Sequence, residues 1–314
     1  MRKILGASAL ALATVLAASM PAALNAKDEP KSEASEAPGV PPALIAIQKS
    51  LHPQTGDVRI PEAKAVLHLG DAYYFLPPEE AKRVLSEAWG NPPADGEGVL
   101  GLVLEKGSTI ADATWGAVIT YEETGHIADA DAQKQDYAQV LKDRQQAVEA
   151  SNESRKQQGY PATHLIGWAQ PPSYDAASHS LIWAREIRVD GDPEPGLNYD
   201  VRLLGRTGVL SMNMLASMHS IDQVRAAAQR FGKAATFDAG STYADYNSST
   251  DKTAEYGLAG LVAGGAAVAV ASKLGFFAVI LKFAKLIIIG AIALGAGVLA
   301  FFKRMFGRKE EDTI

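Results

Sequence analysis

The chain has 314 residues, a formal net charge of −6, 47% hydrophobic residues and no cysteine. The lack of cysteine excludes disulfides, thiolate nucleophiles and Cys-ligated zinc, and a chain this long can build a core without such staples. Charge is uneven: residues 27–251 hold 32 Asp and Glu against 20 Lys and Arg, whereas residues 252–314 hold eight basic against four acidic. An acidic body repels phosphate backbones, so nucleic acid is not an expected partner.

The two ends predict targeting. Arg2-Lys3 followed by the apolar run from Ile4 to Met20, with small residues towards Ala26, reads as a signal peptide over 1–26. Residues 27–42 (KDEPKSEASEAPGVPP) are charged and Pro-rich, too poor in apolar side chains to offset ordering entropy, and predict a disordered leader. Near the other end, Phe283 to Phe302 is free of charge from Leu286 onward and bracketed by Lys285 and Lys303-Arg304. About 20 apolar residues match the roughly 30 Å of a bilayer core, so 282–304 predicts a transmembrane anchor into the lipid bilayer. A single crossing puts Lys303, Arg304, Arg308 and Lys309 of the 305–314 tail in the cytoplasm. It also spares Lys273 the bilayer centre, a position that would cost about 3 kcal/mol.

Between these ends, 43–250 predicts one extracytoplasmic domain. Short β-like runs at 58–60, 65–69 and 73–76 are punctuated by Pro61 and Gly70-Asp71. Pro77-Pro78 opens a helix whose Ala81, Val84, Leu85 and Ala88 form one stripe, stopped by Gly90. Strands follow at 99–105 and 115–121. A longer helix is expected from about Asp131 to Gln158, buried through Tyr137, Val140, Leu141 and Val148 and ended by Gly159 and Pro161. Runs 164–169 and 181–189 read as strands joined by the turn-rich PPSYDAAS; 198–204 and 209–215 read as a hairpin around Gly205 to Gly208. Ser220 and Gln223 suggest a capping box for a last helix ending at Gly232. The fold class predicted is α+β, a largely antiparallel sheet with a few packed helices, preceded by the signal peptide and followed by the transmembrane helix.

Four stretches carry a family likeness: WGAVITYEETGHIADADA (115–132), GYPATHLIGWAQPPSYDAASHSLIWARE (159–186), LNYDVRLLGRTGVL (197–210) and YADYNSSTDKTAEYGLAGLVAG (243–264). Together they resemble a family of bacterial membrane-anchored proteins known only as domain of unknown function 2167. The resemblance implies a cell-envelope protein in the bacterial inner membrane with its domain in the periplasm, and it brings no catalytic residues. It also implies that Tyr is tolerated where this chain has His126, and Phe where it has Tyr246.

Two polar groups carry the candidate chemistry. Glu122, Glu123, His126, Asp129 and Asp131 lie together between a strand and a helix. They suit a divalent cation, or an acid/base pair built on Glu123 and His126; equally, Asp129 or Asp131 would cap the following helix. Asn198, Arg202 and Arg206 lie on or just past one strand, with Arg185 and Glu186 on its neighbour. They could grip a carboxylate or phosphate, or pair with Glu186, Asp200 or Asp175. His164 and His179 stand beside apolar strands and read as structural, Trp168 and Trp183 as core.

No nucleophile elbow, phosphate loop, zincin motif or dinucleotide fingerprint occurs. Gly257, Gly260, Gly264 and Gly265, set in an Ala/Val/Leu run over 251–281, suggest close helix packing, including self-association through Gly260 and Gly264. The sequence therefore predicts a non-enzymatic binding or scaffolding domain with no cofactor, with an envelope protein partner. A hydrolase centred on Glu123, His126 and Asp129 is the alternative.

Overall fold

Side-chain parity on five consecutive long strands decides the architecture. The computed structural model describes residues 40–130 and 132–265, all within the first of two compact units, 1–267. The signal peptide, most of the leader, Asp131 and the crossing at 282–304 lie outside the described residues. Among the described residues no helix is long and apolar enough to cross a membrane.

In chain order the elements are α1 (Pro42–Lys49), β1 (Asp57–Ile60), β2 (Ala65–His68), β3 (Tyr73–Leu76), α2 (Pro78–Arg83), β4 (Val99–Glu105) and β5 (Trp115–Glu122). There follow α3 (Tyr137–Gln157), β6 (Thr163–Asp175), β7 (Ser180–Val189), β8 (Gly196–Leu204), β9 (Val209–Ser217), α4 (Ile221–Ala234), β10 (Ala235–Phe237) and α5 (Leu258–Ala263). Seven strands form one sheet in the order β3-β4-β5-β9-β8-β7-β6, and β1-β2-β10 form a second. Each neighbouring pair is antiparallel, which matches the α+β expectation.

On one face, Leu197, Tyr199, Val201 and Leu203 of β8 and Leu210, Met212, Met214 and Ala216 of β9 meet Val224, Ala227, Ala228 and Phe231 of α4, together with the small sheet. Burial of such a side chain stabilises by about 1.5–3 kcal/mol, and this is the main core. The opposite face is divided. Leu102, Val118 and Leu215 pack under α1 and α2, whereas Leu181, Trp183, Leu204 and Val209 pack with α5 and the start of α3. With both faces covered, the unbroken apolar run of β4 is required, not an alternating one.

Several boundaries differ from the sequence reading. The long helix starts at Tyr137 with Asp136 as N-cap, its carboxylate accepting from the Ala138 and Gln139 amides at 3.1 Å each. Asp129 is therefore not the cap of α3; a cap works only from the residue directly before the first turn. The helix buries Arg144, Val148 and Asn152, while Tyr137, Val140 and Leu141 are half-buried at its edge. The PPSYD stretch is strand, not turn. Pro171 and Pro172 lie in β6 at the sheet edge, where missing amide donors are tolerated, and the register slips three times along its pairing with β7. Ser220 precedes α4 without a side-chain cap bond, and α4 runs past Gly232 to Ala234. Gly260 is packed against Tyr256 of its own chain, and Gly264, at φ +124°, caps α5.

Candidate functional site

The gap between the two helical covers carries the polar side chains of the second face. Asn198, Asp200 and Arg202 share that face because they alternate with Leu197, Tyr199, Val201 and Leu203. Pairing sets Asp200 between Trp183 of β7 and Asn213 of β9, Arg202 beside Ser211, and Asn198 beside Arg185. Asp200 is fully buried. Its two carboxylate oxygens accept from Arg202 Nη2 and Arg185 Nη2, each at 2.8 Å. Burial pushes the Asp200 carboxyl up, but Arg185, Arg202 and a hydrogen bond from Asn213 outweigh it and hold it below the usual range.

Arg202 also donates to Ser211 Oγ, lies 3.5 Å from Glu122 Oε1, and sets its guanidinium 5.3 Å from the Trp183 ring centroid. A third guanidinium comes from α3. Arg144 is 8% exposed and donates through Nη1 to the Ala263 carbonyl of α5 at 3.1 Å. Burial, then the like charge of Arg185, push its pKa down to about 10. The Nε groups of all three arginines and the Trp183 indole nitrogen are buried donors without an acceptor; each such group ordinarily costs about 1–3 kcal/mol.

Arg206 does not share this cluster's partners. It lies beyond the end of β8, and its Nε and Nη2 grip Asp251 at 2.8 and 2.9 Å. That bond holds the Asp251 carboxyl well below its usual range, with the Asn247 amide adding to it. Of the pairings open in the sequence, Asp200 is realised for Arg202, while Arg206 takes Asp251.

The acidic loop after β5 comes apart similarly. Glu122 faces Arg202, Glu123 is exposed, and His126 is buried. Gly125, at φ +90°, lets the loop approach the C-terminal segment so closely that a Cβ there would sit 2.6 Å from the Lys252 carbonyl. The His126 amide donates to Lys252 O and its carbonyl accepts from Ala254, both at 2.8 Å. Its ring stacks on Tyr246 at 3.7 Å and meets Tyr243 at 4.3 Å with the planes tilted by 35°, and Tyr243 stacks in turn on His179 at 4.1 Å.

His179 reads from the sequence as a structural residue beside an apolar strand, but it is not isolated there. Tyr174 donates to Asp129 Oδ2 at 2.7 Å, so its oxygen accepts from His179 Nδ1 at 3.1 Å, which sets the proton on that nitrogen. Tyr243 donates to the Ile127 carbonyl at 2.8 Å. Burial, then Asp129, push both phenols up, and burial pushes His126 down against Asp129 and Asp251. His164 is not isolated either; it bridges Glu149 and Asp190 at 2.6 and 3.1 Å. Among the described residues no three His, Asp or Glu side chains are placed to hold a metal ion.

Sequence reasoning missed Arg144 and the Tyr174–His179–Tyr243 network. The spacing of Arg144, Val148 and Asn152 was a usable signal, since i, i+4, i+8 marks one helix face. The network joins residues from 174 to 243 of the chain and leaves no local pattern.

The fold and site define an antiparallel α+β domain with a buried arginine cluster and an aromatic clasp. The chain belongs to the family described as protein of unknown function (DUF2167), which matches residues 52–296. No curated protein matches it. Among solved structures it is similar to the solution structure of cyanobacterial PsbP (CyanoP) from Synechocystis sp. PCC 6803. The identity is 11% over 65% of this chain and 98% of that one, with a TM-score of 0.34. Overlap that loose carries no argument.

Proposed function

We propose that this chain is a non-enzymatic binding domain of the bacterial cell envelope, held on the inner membrane by one C-terminal crossing at 282–304, with its body in the periplasm. The observation that carries the reading is how the groups best suited to catalysis are used. The His126 ring lies against two tyrosine rings, Asp129 and His179 are bound to Tyr174, and Glu123 stands apart from them on the surface. A general base needs reach to a substrate proton, and a buried, stacked imidazole has none. The same contacts fasten the segment that leads towards 282–304. The unpartnered groups of the arginine cluster are donors, the chemistry of binding an acceptor.

Two measurements test this. Alkaline phosphatase and green fluorescent protein fused after Ile314 should give fluorescence without phosphatase activity. Calorimetry with zinc, calcium and manganese should show no saturable site. A stoichiometric metal site abolished in His126→Ala would replace the binding reading with a metal-dependent hydrolase.

A further inference from the structure

We propose that the Arg144–Arg185–Arg202 cluster is a binding site for a singly charged carboxylate, held between the sheet face and α3 and sensed by the Trp183 indole. The proposal rests on the binding-domain reading and names the ligand class it takes. Charge gives the valence. Arg185 and Arg202 pair with the buried carboxylate of Asp200, Arg202 also with the half-exposed Glu122, and Arg144 lies near enough to feel the charges of Arg185, Asp200 and Arg202, so that among the described residues three cations meet two carboxylates, a surplus of one positive charge. A monoanion cancels that surplus, whereas a dianion would overshoot it beside a fully buried Asp200, where like charges repel most.

Hydrogen bonding gives the chemical type. Nε of Arg144, of Arg185 and of Arg202, and Nε1 of Trp183, are buried without acceptors, and every one is a donor only. Asp200 cannot serve all four, because Arg185 Nη2, Arg202 Nη2 and Asn213 already take three of its roughly four lone-pair sites. A guest must therefore accept several bonds and donate none. An ionised carboxylate does so, with two oxygens and about four lone-pair sites, and planar guanidinium groups suit it. The residues are also held in place from three elements. Trp183 and Asp200 are cross-strand partners, Arg202 lies over Trp183, and Arg144 is tied to the Ala263 carbonyl. Arg206, occupied by Asp251, takes no part.

The test uses the full chain in detergent, titrated with acetate at constant ionic strength set by sodium sulfate, with melting temperature as readout. Selective stabilisation of the native state should raise it along a saturating curve, and Trp183 fluorescence should change with the same midpoint. Inorganic phosphate at matched concentration should give no saturating rise. Arg144→Lys keeps the charge but loses Nε, and should weaken the acetate midpoint at least tenfold. Arg225→Lys, away from the cluster, should leave it unchanged. If Arg144→Lys fails to fold, the acetate and phosphate curves of the unaltered chain decide alone. Saturation by phosphate but not acetate overturns the carboxylate while leaving the binding domain standing. Saturation by neither overturns the site itself, and an acetate response untouched by Arg144→Lys does the same. None of these outcomes depends on the metal calorimetry or the fusions, so the two readings fail separately.

Discussion

The arginine cluster and the His126 clasp lie on adjoining parts of one domain and use their polar groups in opposite ways. Around Asp200, two guanidinium groups share one buried carboxylate, a third is tied to a backbone carbonyl nearby, and all three keep an Nε donor in reserve. Around His126, side chains that look catalytic are spent on each other: phenol to carboxylate, imidazole to phenol, ring on ring. Residue type alone ranks the second group as the active site. Partner accounting reverses the order, because a group already bonded has little left to offer a ligand.

The largest expected effect comes from removing the shared carboxylate. Asp200→Asn leaves two guanidinium groups buried without their counter-charge, and should cost about 3–5 kcal/mol in urea unfolding. A loss below about 1 kcal/mol would mean that water reaches the cluster freely and that the contrast with the clasp is false.

The clasp should respond to ring loss and not to imidazole loss. His126→Ala removes two ring contacts, one stacked and one tilted, and should cost about 1–3 kcal/mol. His126→Phe keeps both ring contacts and deletes a buried Nδ1 that has no partner among the described residues, so stability should hold or rise slightly. Equal damage from both substitutions would assign the imidazole a task of its own.

Acidification separates the regions further. His126 has a lowered pKa through burial, so between that value and the unfolded value of about 6.5 the unfolded chain binds more protons. Stability is complete above about pH 6.5 and falls as the pH drops through that window. Melting curves across this range should show an acid-side decline that is shallower in His126→Phe. On the far side of α3, His164 has the opposite sign. The Glu149 hydrogen bond raises its pKa, so its contribution is full at low pH and is lost as pH rises through the raised value.

The smallest effect belongs to Arg206. Its pair with Asp251 is partly exposed, and Arg206→Gln should lower the melting temperature less than Asp200→Asn, by a margin that shrinks in high salt. A drop matching that of Asp200→Asn would show that the turn around Asp251 is as demanding as the cluster.

How far the sequence could be read depends on distance along the chain. The Pro77-Pro78 helix start, the stripe Ala81, Val84, Leu85 and Ala88, and the Gly205–Gly208 hairpin were legible because their causes are local. The start of α3 was misread because three acidic residues precede it and only the last, Asp136, caps it. The PPSYD stretch misled because proline argues against strand unless edge position is known, and edge position comes from the whole sheet. The Arg202–Asp200 pair was within reach as an alternation on one strand, and Arg185 as its neighbour. For Arg144 the i, i+4, i+8 spacing with Val148 and Asn152 signals a buried face, but not what a buried cation there would meet, which depends on residues of the facing sheet. The ring stack of His126 with Tyr243 and Tyr246 unites segments with nothing local in common.

The prolines and register slips of β6 have one more consequence. A seven-stranded sheet has two open margins where another chain could add a strand, and such templating begins many aggregates. At one margin β3 is four residues long, and the Gln54 backbone already exchanges both bonds with Phe75. At the other, Pro171 and Pro172 remove two donors, and three irregularities break the even spacing an incoming strand must match. The domain can therefore be crowded at high local density without its sheets fusing.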